Sequence, residues 1–109
     1  MRTILLAASM LLTPFAAHAA DERLVHAIIM CESSGRLHVW GDDHTSYGIA
    51  QFQQVTFNEM KHAAHMRRLT WQNPKHQVIL MRWMLDHGHA ARWTCWRVHH
   101  LEWAERGIK

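Results

Sequence analysis

Apolar residues between Asp21 and Cys31 recur at three- and four-residue steps: Leu24, Ile28 and Cys31 form one stripe, Val25 and Ile29 the next. That spacing predicts an amphipathic helix. Glu32 continues the second stripe and is expected to face the apolar side. Ser33-Ser34-Gly35 then ends the helix, with Gly35 suited to a left-handed position beyond it. In the following RLHVWGDDHTSY, the turn residues Gly41-Asp42-Asp43 separate two short runs, the pattern of a hairpin or a looped lip. Thr56-Phe57-Asn58-Glu59 has the form of a capping box and predicts a second helix running to Arg67. Asn73-Pro74 opens a third, with Pro74 at the first helical position and Val78, Ile79, Met81, Trp83, Met84 and Leu85 as core positions before Gly88. Ala90 to Val98 is expected to form a short helix or turn, and His99 to Lys109 a last helical turn or a frayed tail. The fold class these elements predict is mainly α, with a short loop or β-hairpin lip.

The first residues belong to a different pattern. Met1 to Ala20 carry one basic residue, Arg2, then an apolar run from Ile4 to Ala17 broken by Pro14, then Ala17-His18-Ala19. This is the layout of a secretory signal peptide over residues 1–19 with an A-x-A cleavage site, which leaves one domain over residues 20–109. An uncleaved membrane anchor is the alternative, although the run is short for a span. The expected destination is across the inner membrane, in a bacterial periplasm or beyond. No repeat, linker or low-complexity stretch divides the remainder.

A domain of about 90 residues is small for one hydrophobic core. The chain has two cysteines, Cys31 and Cys95. In an oxidising compartment they most simply pair with each other, which would fasten the residue before Glu32 to the last part of the fold. Two free thiols or a Cys/His metal site are the competing readings. The formal net charge of +3 and the isoelectric point near 9.3 suit an anionic wall polymer or peripheral contact with a membrane surface. No Lys/Arg run or nucleic-acid motif is present, which argues against DNA or RNA as partner.

The candidate chemistry lies between Cys31 and Gln53. A carboxyl group on the apolar side of a stopping helix is partly desolvated and lies beside free carbonyls, and both effects favour its protonated form. Such a Glu is a general acid, which glycosidic cleavage needs because an alkoxide leaves poorly. A surface Glu at a frayed helix end, or one tied into an ion pair, is the structural alternative for Glu32. Further on, Gly48-Ile49-Ala50-Gln51-Phe52 lacks long side chains at Gly48 and Ala50, which would let a ligand approach the backbone, and offers the Gln51 amide as donor and acceptor.

The pair Glu32-Ser33-Ser34-Gly35 and Gly48-Ile49-Ala50-Gln51-Phe52, in this order and spacing, resembles the first two motifs of the lytic transglycosylases and goose-type lysozymes. The resemblance covers Leu24 to Phe57. It implies a small lysozyme-like domain that cleaves peptidoglycan glycan strands without a cofactor, with Glu32 as acid/base and Gln51 binding the glycan beside it; the structural alternative for Gln51 is that it merely satisfies nearby backbone groups. Ser33, Ser34, Tyr47, Gly48, Ile49, Ala50 and Phe52 complete the implied substrate-binding set. The family's third motif, Ala-Tyr-Asn, whose Tyr hydrogen-bonds the acid, is missing. Trp93-Thr94-Cys95-Trp96 stands where it is expected, and Tyr47, the only tyrosine, is the candidate substitute. Enzymes of this size often open the wall for a secretion, conjugation or phage apparatus.

Asp42 and Asp43 decide between two chemistries. A hydrolysing muramidase needs a second carboxylate, which either could supply. The lytic transglycosylases manage with one, because the substrate's own acetamido group assists and its hydroxyl closes to a 1,6-anhydro product; the two Asp then simply make a turn. Of six tryptophans, Trp40 and either Trp93 or Trp96 are candidates to stack on sugar rings, while Trp71 and Trp83 fit the core. Eleven histidines include the close pairs His62 and His65, His87 and His89, and His99 and His100. None has a recognised ligand spacing, so no metal site is expected. A non-catalytic wall-binding module, which the missing third motif would permit, is the rival from another class.

Overall fold

The computed structural model describes residues 21–109, so the leader expected over residues 1–19 lies outside the described residues. Helix α1 (Glu22–Ser33) is followed by three two-residue strands, β1 (Trp40–Gly41), β2 (Ser46–Tyr47) and β3 (Phe52–Gln53). Helices α2 (Gln54–Ala63) and α3 (Pro74–Asp86), a 3-10 turn (Ala90–Arg92) and helix α4 (Thr94–Glu105) complete the fold. The strands form an antiparallel sheet in chain order, with Trp40 opposite Tyr47 and Tyr47 opposite Phe52. The mainly α domain with a hairpin lip is therefore what the chain adopts.

The helix ends follow local chemistry. The Asp21 side chain caps α1 through the N–H of Arg23, and Asn73 caps α3 through the N–H groups of Lys75 and His76, with Pro74 at the first position. Helix α2 departs from the capping-box prediction. It begins at Gln54, with Gln53 in extended conformation and no side-chain cap, and Thr56 lies inside its first turn. A hydrophobic staple sets this start: Phe52, just before the cap, meets Phe57 edge-on at 5.3 Å. The same helix stops at Ala63 rather than Arg67. His65 takes a left-handed φ of 57°, which lets the N–H of Met66 return to the carbonyl of Lys61. No glycine marks that stop.

The C-terminal stretch is also more ordered than its polarity suggests. Thr94 to Glu105 is one continuous helix held by buried Trp103, and Gly107 closes it in a left-handed turn. The core gathers Leu24, Val25 and Ile28 from α1, Phe52 from β3, Phe57 and Met60 from α2, Leu80, Met81 and Met84 from α3, and Trp93 and Trp103. Ile79, expected inside, is 44% exposed, because Leu80 takes the inward position of that turn. Cys31 and Cys95 are bonded to each other across 64 residues of chain. Closing a loop of that length stabilises the fold by about 4 kcal/mol in a chain-entropy account.

One polar residue sits at the centre of this core. Gln77 on α3 is fully buried, and its amide satisfies three backbone groups of other segments. Its Oε1 accepts from the N–H of Ala50 at 2.9 Å, and its Nε2 donates to the carbonyls of Tyr47 and Trp71, each at 2.8 Å. Gln77→Leu keeps the volume but leaves those groups unpaired in an apolar setting, at a cost of about 3 kcal/mol after partial relaxation. We expect a clear drop in the urea midpoint with an unchanged slope; a midpoint equal to wild type would contradict this account.

Candidate active site

Between the end of α1, the hairpin and the start of α4 lies a cleft of about 270 Å³. Glu32 lines it together with Asp42 and Ser46 of the hairpin, Gln51 to Gln53 of the following segment, Thr56 of α2, and Trp93, Thr94 and Arg97 around the start of α4. Gln51 and Phe52 close one side, at the end of the turn that joins β2 to β3. Several backbone groups of that turn are engaged by side chains of other segments.

Glu32 is half-buried, and its Oε2 accepts a hydrogen bond from the backbone N–H of Cys95 at 3.2 Å. Burial pushes its pKa above the ordinary 4.5; the Cys95 N–H acts in the opposite direction, the charge of Asp42 raises it further, and Arg97 lowers it. The net direction is upward, so desolvation outweighs the donor. The Trp93 to Trp96 segment thus does flank the acid, but it holds Glu32 through a main-chain N–H in the first turn of α4 rather than through a tyrosine hydroxyl.

Tyr47 is not that partner. It is buried, and its hydroxyl lies 2.8 Å from Nδ1 of His38. Ser33 is likewise buried rather than open to a sugar: its hydroxyl donates to the carbonyl of Ile49 at 2.7 Å and accepts from the N–H of Gly35. Ser34 is exposed at the left-handed end of α1 and does not line the cleft. Tyr47 and Ser33 belong to the scaffold: the Ser33 hydroxyl joins the end of α1 to the turn, and the Tyr47 hydroxyl is engaged with His38.

Gly48 also differs from its expected use. Its bare face is turned to Gln77, whose amide would lie 2.6 Å from an added Cβ, and its φ of +90° suits glycine for a second reason. Ala50 is fully buried; its N–H meets Gln77 and its carbonyl accepts from the Trp93 indole at 2.8 Å. Ile49 faces a separate apolar groove with Leu37, Val78 and Ile79. Close backbone approach by a ligand is therefore not what the small residues serve here.

Gln51 and Phe52 do line the cleft. Gln51 has a left-handed φ of 53°, and its Nε2 donates to the carbonyls of Val39 and Gly48, both at 3.0 Å. With both amide hydrogens committed to backbone, its remaining offer to a ligand is as an acceptor through Oε1. That oxygen packs against Gly41, where a Cβ would overlap it. Gly41 is thus the glycine that makes room for the site's glutamine. Phe52 is buried against Phe57 and Trp93 and floors the cleft.

The hairpin separates the two aspartates. Asp42, Asp43 and His44 all have positive φ, and this tight turn sends Asp42 into the cleft, its Oδ2 accepting from the Ser46 hydroxyl at 2.6 Å, while Asp43 does not line it. Trp40 lies on the other face of the lip, 39% exposed, beside His44 and edge-on to Tyr47 and Trp71. Trp96 stacks on His100 at 4.1 Å and is not in the cleft; Trp93 is, as a buried wall. Trp71 is half-buried and its indole N–H donates to the carbonyl of Phe52.

Sequence reasoning passed over Ser46, Gln53, Thr56, Arg92, Thr94 and Arg97, which also line the cleft, and Gln77, which supports it. The proximity of Thr94 to Cys95 was the one usable signal. Among the described residues, no three His, Cys, Asp or Glu side chains gather where a metal ion could be held, and no helix is long and apolar enough to cross a membrane. No family model, curated protein or solved structure matches the chain.

A buried carboxyl with a raised pKa makes a definite prediction for stability. Folding favours neutral Glu32, so its contribution is fully present below its ordinary value of 4.5 and is lost as pH rises through the higher folded value. Glu32→Gln retains an acceptor for the Cys95 N–H and cannot ionise. Its melting temperature should exceed that of wild type at pH 7, with the difference shrinking toward zero in acid. A variant that melts lower at pH 7 and equal at pH 3 would mean that the ionised carboxylate is the stabilised form.

Proposed function

We propose that this protein is an exported peptidoglycan lytic transglycosylase. It cuts the β-1,4 bond between N-acetylmuramic acid and N-acetylglucosamine with Glu32 as its single catalytic carboxyl, and leaves 1,6-anhydro-muramic ends. The observation that carries this reading is the half-buried Glu32 at the end of α1, facing a cleft that Gln51 and Phe52 also line. Export rests on the leader-like residues 1–19, and the periplasm or the space beyond is the proposed setting. There the enzyme would open the wall locally for a secretion, conjugation or phage apparatus.

The chemistry follows from one proton. Neutral Glu32 gives its hydrogen to the bridging oxygen as the bond to muramic C1 breaks, and the neighbouring acetamido oxygen engages the electron-poor C1. Glu32 is then a carboxylate, and the Cys95 N–H that faces it favours this form. It next withdraws the proton from the muramic 6-hydroxyl as that oxygen bonds to C1 and displaces the acetamido group. The proton returns to Glu32, no water is consumed, and the products are an anhydro end and a free glucosamine 4-hydroxyl.

A hydrolysing muramidase is the second reading, and the position of Asp42 on the same cleft favours it over one based on Asp43. In that reading Asp42 directs water or acts as the nucleophile. A wall-binding module without chemistry is the reading left if neither activity is found.

Mass spectrometry of muropeptides released from purified wall distinguishes the three. We expect anhydro ends from wild type and none from Glu32→Gln. Asp42→Asn should retain the lyase activity, with the alkaline limb of its pH profile moved to lower pH, because the charge that helps keep Glu32 protonated is gone. Hydrated reducing ends, abolished by Asp42→Asn, would establish the muramidase instead.

A further inference from the structure

Two arginines stand on the α4 side of the cleft, and their states differ. Arg92 donates to Oε1 of Glu59 at 2.9 Å, so its charge is already matched. Arg97 has no carboxylate partner among the described residues. Its guanidinium is nevertheless held in place: Nη1 donates to the carbonyl of Ala91, and Nη2 to the Thr94 hydroxyl at 2.9 Å. Those bonds tie it to the 3-10 turn and to the first turn of α4. They use two of the five N–H donors a guanidinium carries, and leave Nε–H and one N–H on each terminal nitrogen for an anion.

Arg97 acts on Glu32 through space, but neither cleft carboxyl is ion-paired with it: Glu32 bonds to Cys95 and Asp42 to Ser46. A cation held in this way can take an anionic group from a ligand. We infer that Arg97 is the carboxylate-recognising residue of this cleft, selecting muramyl glycan that carries an anionic group over the uncharged polymer of N-acetylglucosamine. This inference rests on the reading of the cleft as a glycan site. The carboxylate has two sources, the lactyl group of a stem-free muramic residue and the acidic residues of a peptide stem, and the chemistry of recognition is the same for both.

Calorimetric titration on a Glu32→Gln background measures recognition without turnover. Three glycans of equal length serve as probes: stem-free muramyl glycan with a free lactyl carboxylate, stem-bearing glycan with its lactyl group in amide linkage, and a chito-oligosaccharide with no carboxylate. Adding Arg97→Gln should weaken binding of a carboxylate-bearing glycan about tenfold, the range of one charge-assisted contact at a partly solvated site. Binding of the chito-oligosaccharide should not change. Whichever muramyl glycan loses more identifies the source of the carboxylate.

Arg97→Lys, which retains the charge but not the fork, should recover part of the loss, and it guards against a folding defect in the glutamine variant. Equal weakening for all three probes would show that Arg97 only braces α4, and would overturn the inference. So would unchanged binding of both muramyl glycans, or failure of the parent chain to bind any probe. A parent that shows the Arg97-dependent preference while chains with Glu32 intact release no anhydro ends would leave the inference standing and remove the lyase reading.

Discussion

The fold turns on a segment that has little regular hydrogen bonding of its own. Between the paired residues Tyr47 and Phe52 the chain runs through a four-residue turn inside the protein, where a backbone group left unpaired costs about as much as a lost hydrogen bond. Five of its backbone groups are met by side chains of other elements: Gln77 takes the Ala50 N–H and the Tyr47 carbonyl, Ser33 the Ile49 carbonyl, Trp93 the Ala50 carbonyl and Trp71 the Phe52 carbonyl. Gln51 closes the turn on itself through Gly48. The turn therefore draws α1, the α2–α3 connection, α3 and the start of α4 to one point. The end of α1, and with it Glu32, is placed as a consequence.

This arrangement explains why polar residues sit where a small core might be expected to exclude them. A fully satisfied buried amide such as Gln77 specifies one geometry, since any shift of α3 breaks three bonds together. An apolar residue there would pack against the turn without fixing it. The disulfide does related work on the opposite flank. It joins the residue before Glu32 to the residue whose N–H meets the Glu32 carboxyl, so one covalent link and one hydrogen bond span the same gap.

Much of the architecture was legible from periodicity and caps. The α1 stripe, the Asn73-Pro74 start of α3 and the hairpin at Gly41-Asp42-Asp43 follow local rules, and the structure has them. Helix α2 misled because two N-terminal devices overlap: the letters of a capping box at Thr56 to Glu59 fall inside a helix already begun by the Phe52–Phe57 staple. The stop at Ala63 was hidden because His65, not glycine, takes the left-handed position. Within the site, Glu32 and Gln51 were visible as a pair, and the hydrogen bonds that use up Ser33, Tyr47 and Gly48 were not. The decisive contacts are long-range: Tyr47 with His38, Ser33 with Ile49, and the close approach of Gly48 to Gln77. Periodicity carries no information on contacts of that kind.

The surroundings of Glu32 are poised between two demands. A carboxyl kept neutral by burial alone would donate its proton readily but would be a costly ion afterwards, and a carboxylate fully solvated by donors would never hold the proton. Here burial and the Asp42 charge act one way, while a single main-chain N–H at the start of α4 and the Arg97 charge act the other. The donor comes from the first turn of a helix, where N–H groups have no partner within the helix and the dipole favours negative charge. A tyrosine hydroxyl can rotate and can either donate or accept, whereas the Cys95 N–H only donates and is held by the disulfide next to it. Such an N–H is a fixed counterpart for the ionised form of Glu32.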